Sequence, residues 1–267
     1  MKFIKLLLVL ASACVLGYAS QVDKPVPAPA HHDVLAGVPA HGYHWARNSI
    51  SPDINIRYIV THNNEDSVTK IWLGLTDKVF TTWAAYRPPT VNINFDKIHC
   101  EFYTGGCGIP DTHHPTCAAN CGTGRATESG VLNVEISNYG ATSWASKTTV
   151  WPVGGHIDRA LVQLNAYYFA ANPVSQLYMQ AVYCHGVGAA MGLDDNKPGP
   201  ADGGPDDTCM NDLVMFTTNP PYSVPNAHDI SDLGLVYGHL DPLQSGLTIP
   251  ATGVALPVVI DTLRYPY

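Results

Sequence analysis

Apolar and polar residues alternate in Ile54-Asn55-Ile56-Arg57-Tyr58-Ile59-Val60 until the last positions, the period-two pattern of a half-buried strand. From Ser67 the period changes. Val68, Ile71, Trp72, Leu75, Val79 and Trp83 fall at helical spacing, so Ser67 is expected to cap a helix that buries this face and ends at Arg87-Pro88-Pro89. Val91 to Phe95 and Val131 to Ile136 read as two further strands, and Ala160 to Asn165 as an edge strand. Ser175 to Met191 reads as a helical stretch, followed by a Pro/Gly/Asp loop from Asn196 to Asp207. A last helix is expected from about Asn226 to Leu240, with Ile230, Leu233, Val236, Tyr237 and Leu240 on one side and Asp229 near its N-terminus.

The N-terminus departs from this pattern. Lys2 and Lys5 precede an apolar run from Leu6 to Leu16 and the small residues Gly17, Ala19 and Ser20, the layout of a secretory signal occupying 1–19. The run is shorter than the roughly 20 residues a membrane-spanning helix needs. A Pro-rich leader follows over 20–42, with Pro25, Pro27, Pro29 and Pro39. The expected product is therefore a secreted, extracellular monomer with no membrane partner. Composition agrees: 46% of the 267 residues are hydrophobic, enough for a core, and only 13% are charged. The net charge of −8, deepened when Lys2 and Lys5 leave with the signal, and the absence of a basic stripe exclude nucleic acid as the natural partner.

Of the 7 cysteines, Cys14 belongs to the signal. The even set Cys100, Cys107, Cys117, Cys121, Cys184 and Cys209 reads as disulfides in an oxidising compartment. Four of them lie in the Gly/Pro-rich loop from Cys100 to Cys121, where three pairings are open; a zinc knuckle of His113, His114, Cys117 and Cys121 is the alternative. Most of the 12 histidines, among them His44 and His239, stand in polar or turn-rich contexts and are expected in solvent. The acidic loop Asp194, Asp195, Asp202, Asp206 and Asp207 has no regular ligand spacing and reads as solvated rather than as a calcium site.

The segment Cys184-His185-Gly186-Val187-Gly188-Ala189-Ala190-Met191-Gly192-Leu193-Asp194-Asp195 resembles, in its frame, the HExxHxxGxxH zinc helix of the matrixin-like metzincin endopeptidases. In that frame two histidines one turn apart face the metal, a glycine turns the chain out of the helix, and a third ligand closes the set. The glutamate activates the zinc-bound water. His185 matches the first ligand, Gly192 the turn glycine and Asp195 the third ligand, whereas Gly186 stands in place of the catalytic glutamate and Ala189 in place of the second histidine. Flanking segments support the frame. Gly155-His156 through Tyr168-Phe169 is similar to the family's edge strand and its approach to the helix; Thr208-Cys209-Met210 is similar to its Met-turn; Asn226 to Asp241 is similar to its last helix.

The resemblance implies an α+β, metzincin-like domain over 43–241, a mixed twisted sheet packed on helices with an active-site helix and Met210 beneath it, and a C-terminal tail over 242–267. It also implies a Cys184–Cys209 bridge between helix and Met-turn. His156 precedes the edge strand that borders the cleft in the family and is read as a structural histidine. Cys107-Gly108-Ile109-Pro110-Asp111 resembles the cysteine switch of the family's prodomain but lies inside the domain, so Cys107 is read as a loop disulfide partner.

With Gly186 and Ala189 unable to move a proton or bind a metal, the expected function is that of a pseudo-peptidase binding a protein or peptide in the former cleft. The alternatives are an active zinc endopeptidase with an aberrant site and a structural extracellular protein. No cofactor is expected, and zinc would require an unseen ligand to join His185 and Asp195. If the helix frame holds, position 189 faces an open cleft rather than the core, and Ala189→His with Gly186→Glu should recover zinc binding.

Overall fold

A computed structural model describes residues 42–47, 52–62, 66–98, 102–103, 106–107, 129–170, 176–194, 208–211, 222–241 and 255–264. The signal, the leader up to residue 41, Cys100, His113, His114, Cys117, Cys121, Asp195, Asp202, Asp206 and Asp207 lie outside them, as does the side chain of Cys107.

The chain is α+β. Its mixed sheet is built on β1 (Ile54–His62), whose even positions are buried as the alternation requires. β1 pairs in parallel with β2 (Ile93–Lys97) on one side and β5 (Val131–Ser137) on the other, and the two-residue strands β3 (Phe102–Tyr103) and β4 (Gly106–Cys107) extend the β2 side. β5 pairs in parallel with β7 (His156–Asn165), which pairs antiparallel with β6 (Trp144–Val153); β8 (Val258–Arg264) adds antiparallel to β6. β5 is buried at nearly every position, as a central parallel strand covered on both faces should be.

Three of these strands depart from the expectations. β7, read as an edge, is interior, because β6 and β8 both lie outside it. β6 escapes the period-two test because Ser146, Thr148 and Thr149 are buried, and its register shifts at Trp151/Pro152. β8 lies within the segment read as a tail.

Helix α1 (Ser67–Ala85) is capped one residue earlier than expected: the Asp66 carboxylate accepts from the Thr69 amide at 2.7 Å. It buries Trp72, Leu75, Val79, Phe80 and Trp83. A single turn, α2 (Tyr167–Ala170), precedes α3 (Gln176–Ala190), which is buried at every residue from Met179 onward. That stretch lacks an amphipathic stripe because it is surrounded by α1, β6, β7 and β8.

Side-chain hydrogen bonds fix α3 from both sides. Trp83 Nε1 donates to the Cys184 carbonyl at 3.0 Å, Tyr183 to Thr76 Oγ1 at 3.2 Å, and Thr148 Oγ1 to the Gly186 carbonyl at 3.2 Å. Gly192 then turns the chain out of α3 at φ 93°, and a Cβ there would overlap the Tyr43 carbonyl oxygen, so this turn requires glycine. The last helix, α4 (Ala227–Val236), opens with a capping box of Asn226 and Asp229. Among the described residues, no helix is long and apolar enough to cross a membrane.

Candidate functional site

The residues singled out on α3 converge on a closed interior. Cys184 and Cys209 form a disulfide, Cα to Cα 5.9 Å, that ties the helix to the 208–211 turn. The Thr208 hydroxyl donates to the Asp229 carboxylate, and the Cys209 amide donates to the Val224 carbonyl at 3.1 Å, so the turn is also held to the start of α4. Met210 is fully buried and packs beneath α3 at Gly188, where a Cβ would overlap its Sδ and stand 2.7 Å from Trp83 Cζ2. Close approach of helix and turn thus explains this glycine.

His185 is 0% exposed. Its Nδ1 lies 2.9 Å from the Cys209 carbonyl, which only accepts, so Nδ1 carries a proton and donates. Its Nε2 stands 3.3 Å from Asp261 Oδ2 on β8, both side chains buried. The ring thus faces the protein's own groups, a hydrogen bond at Nδ1 and the Asp261 carboxyl beside Nε2, rather than an open cleft.

These contacts bear directly on the zinc that the peptidase resemblance implies. A catalytic zinc uses three protein ligands. His185 and Asp261 supply two ligand atoms, Gly186 and Ala189 supply none, and Asp195 lies outside the described residues. The described residues therefore do not fit a catalytic zinc on α3.

The expected reconstruction of such a site also fails on geometry. Ala189 is 1% exposed rather than facing an open cleft. A Cβ at Gly186 would stand 2.6 Å from Val162 Cγ1 on β7, so a glutamate there would be driven into the sheet.

A second constellation lies where the N-terminal segment, the start of β7 and the chain beyond α4 meet. His44 bridges His156 in parallel, and the Ile157 amide donates to the His44 carbonyl at 2.7 Å. Asp241 is fixed from the same segment: its Oδ2 accepts from the Arg47 amide at 2.7 Å, and its own amide donates to the Arg47 carbonyl at 2.6 Å. Three imidazoles then surround one oxygen. Asp241 Oδ1 has His156 Nε2 at 3.0 Å, His44 Nε2 at 3.3 Å and His239 Nε2 at 3.3 Å. Burial alone would raise the Asp241 carboxyl, but the hydrogen bonds from His156, His44 and the Arg47 amide outweigh it and hold the group well below the usual carboxylate range.

This cluster corrects the reading of His44 as solvated, since it is buried; His156, read as structural, is buried too, and His239 reaches solvent. Sequence spacing offers no signal for it, since its four members come from three separate segments and match no short ligand motif.

No protein-family model matches the chain, and no curated protein matches it.

Proposed function

We propose that this chain is a secreted, matrixin-like peptidase homologue that does not hydrolyse peptides and acts by binding a protein or peptide. The observation that carries the reading is the enclosure of His185, with Nδ1 on the Cys209 carbonyl and Nε2 facing Asp261 inside the packed core. Hydrolysis needs a water held by a base and a polarising group within reach of substrate. Gly186 supplies no base, and the helix that would present the metal is covered by β8.

The disulfide supports an exported protein, since such bonds persist in oxidising compartments. Binding of an extended partner has a physical opening at the sheet margin. Among the described residues no strand pairs with the outer edge of β8, where Val259 is exposed, and such an edge accepts a strand through main-chain hydrogen bonds.

The test is incubation of the purified mature chain with unfolded protein substrates, with and without added zinc. Cleavage indistinguishable from a buffer blank is expected. Chelator-sensitive cleavage that disappears in His185→Ala would overturn the reading.

A further inference from the structure

We propose that His44, His239 and Asp241 form a binding site for a first-row transition ion, zinc being the best match, with His156 as the group that orients the carboxylate. The inference concerns a site remote in sequence from α3 and is independent of whether the chain hydrolyses peptides.

The first argument is geometric. The two imidazole nitrogens of His44 and His239 and a carboxylate oxygen of Asp241 all lie within 4.8 Å of one another. Each Nε2 is 3.3 Å from Asp241 Oδ1. Zinc holds nitrogen and oxygen ligands at roughly 2.0–2.1 Å in a tetrahedron, whose ligand-to-ligand edge is about 3.3 Å. The two edges are therefore already at the length an ion would impose.

The second argument is the count of donors and acceptors. One carboxylate oxygen offers two lone-pair directions, yet three imidazole nitrogens approach Oδ1. At most two of the three can donate to Oδ1 at once, so at least one ring is left over at that oxygen in the ion-free chain, and a cation shared by His44, His239 and Oδ1 relieves that crowding and neutralises the carboxylate. Oδ2 is meanwhile held by the Arg47 amide and His156 Nε2 stands 3.0 Å from Oδ1, so the carboxylate is oriented by neighbouring groups, as ligating carboxylates commonly are.

The third argument is the chemistry of the set. Two imidazoles and one carboxylate favour zinc, copper, nickel or iron over magnesium or calcium, which prefer all-oxygen shells. The His239 side chain is 47% exposed, which provides an entry path from solvent. Three protein ligands leave a fourth position for water or a ligand side chain from a partner.

The test uses the mature full-length chain, freed of metal by chelator and titrated with zinc chloride by calorimetry and with cobalt(II) by visible absorption. One equivalent of zinc is expected, with the intense visible bands of tetrahedral cobalt(II). His239→Ala, an exposed change that leaves the fold intact, should weaken zinc binding by more than about 100-fold. His156→Ala, by removing an orienting partner, should weaken it by about 10–100-fold. His228→Ala, at a half-buried histidine outside the cluster, should leave it unchanged. Absence of zinc binding by the wild-type chain would overturn the proposal, as would binding that His239→Ala does not weaken.

Discussion

The close packing of α3 on the 208–211 turn can be tested by adding a single methyl group. Gly188 and Gly74 both lie inside helices, α3 and α1, so replacing either by alanine gains the same intrinsic helical preference of about 1 kcal/mol. Their surroundings differ. A Cβ at Gly74 meets nothing within 4 Å, whereas one at Gly188 overlaps Met210 Sδ and stands 2.7 Å from Trp83 Cζ2. Met210 could swing its sulfur, but it is fully buried, and Trp83 is anchored by its 3.0 Å hydrogen bond to the Cys184 carbonyl. Overpacking costs about 1–3 kcal/mol, and two crowded neighbours argue for the upper end. Gly74→Ala should therefore stabilise the fold by up to about 1 kcal/mol and Gly188→Ala should destabilise it by about 2 kcal/mol. Because the helical term is common, the difference between the variants isolates the packing cost at about 3 kcal/mol. Urea unfolding of the oxidised protein followed by tryptophan fluorescence measures both. Equal stabilisation by the two substitutions would refute the claimed contact between helix and turn.

Three further outcomes follow from other contacts. Asp261→Ala removes the carboxyl that faces His185 Nε2 in the core and should cost about 1–3 kcal/mol, read as a lower urea midpoint; a neutral result would show that Asp261 does not face His185. Cys184→Ala with Cys209→Ala should cost roughly 3 kcal/mol, because the closed loop has a sequence separation of 25, and non-reducing peptide mapping of the wild type should recover the two cysteines joined. Burial pushes the Tyr183 phenol well above its ordinary value of 10, so its contribution is fully present below about pH 10 and is lost as the pH rises further, when only the unfolded chain ionises. Tyr183→Phe should lose about 1 kcal/mol near pH 8 with the Thr76 hydrogen bond but decline less steeply above pH 10 than wild type; parallel declines would contradict this assignment.

Local signals in the sequence carry as far as local physics does. The alternation of Ile54 to Val60 and the helical spacing of Val68 to Trp83 report one buried face each, and β1 and α1 occur there. The pairing of Cys184 with Cys209 follows from the peptidase resemblance alone, and the two are bonded. β6 and β8 are illegible because their burial follows tertiary cover rather than a two-residue period: Ser146, Thr148 and Asp261 are buried where a pattern of apolar residues would exclude them. The same limit applies to chemistry. His185 stands out by its frame, but that it faces Asp261 depends on a strand more than seventy residues later in the chain. The histidines around Asp241 are joined by the pairing of the His44 segment with β7 and by the return of the chain after α4, neither of which leaves a spacing to read.

The central claim is that the histidine on α3 is a core residue and that metal chemistry belongs to the cluster around Asp241. Anomalous diffraction at the zinc absorption edge, from crystals of the mature protein grown with zinc, tests this most directly. A peak is expected at roughly 2.0–2.1 Å from Nε2 of both His44 and His239, and none beside His185. A peak bonded to His185 Nε2 would contradict it.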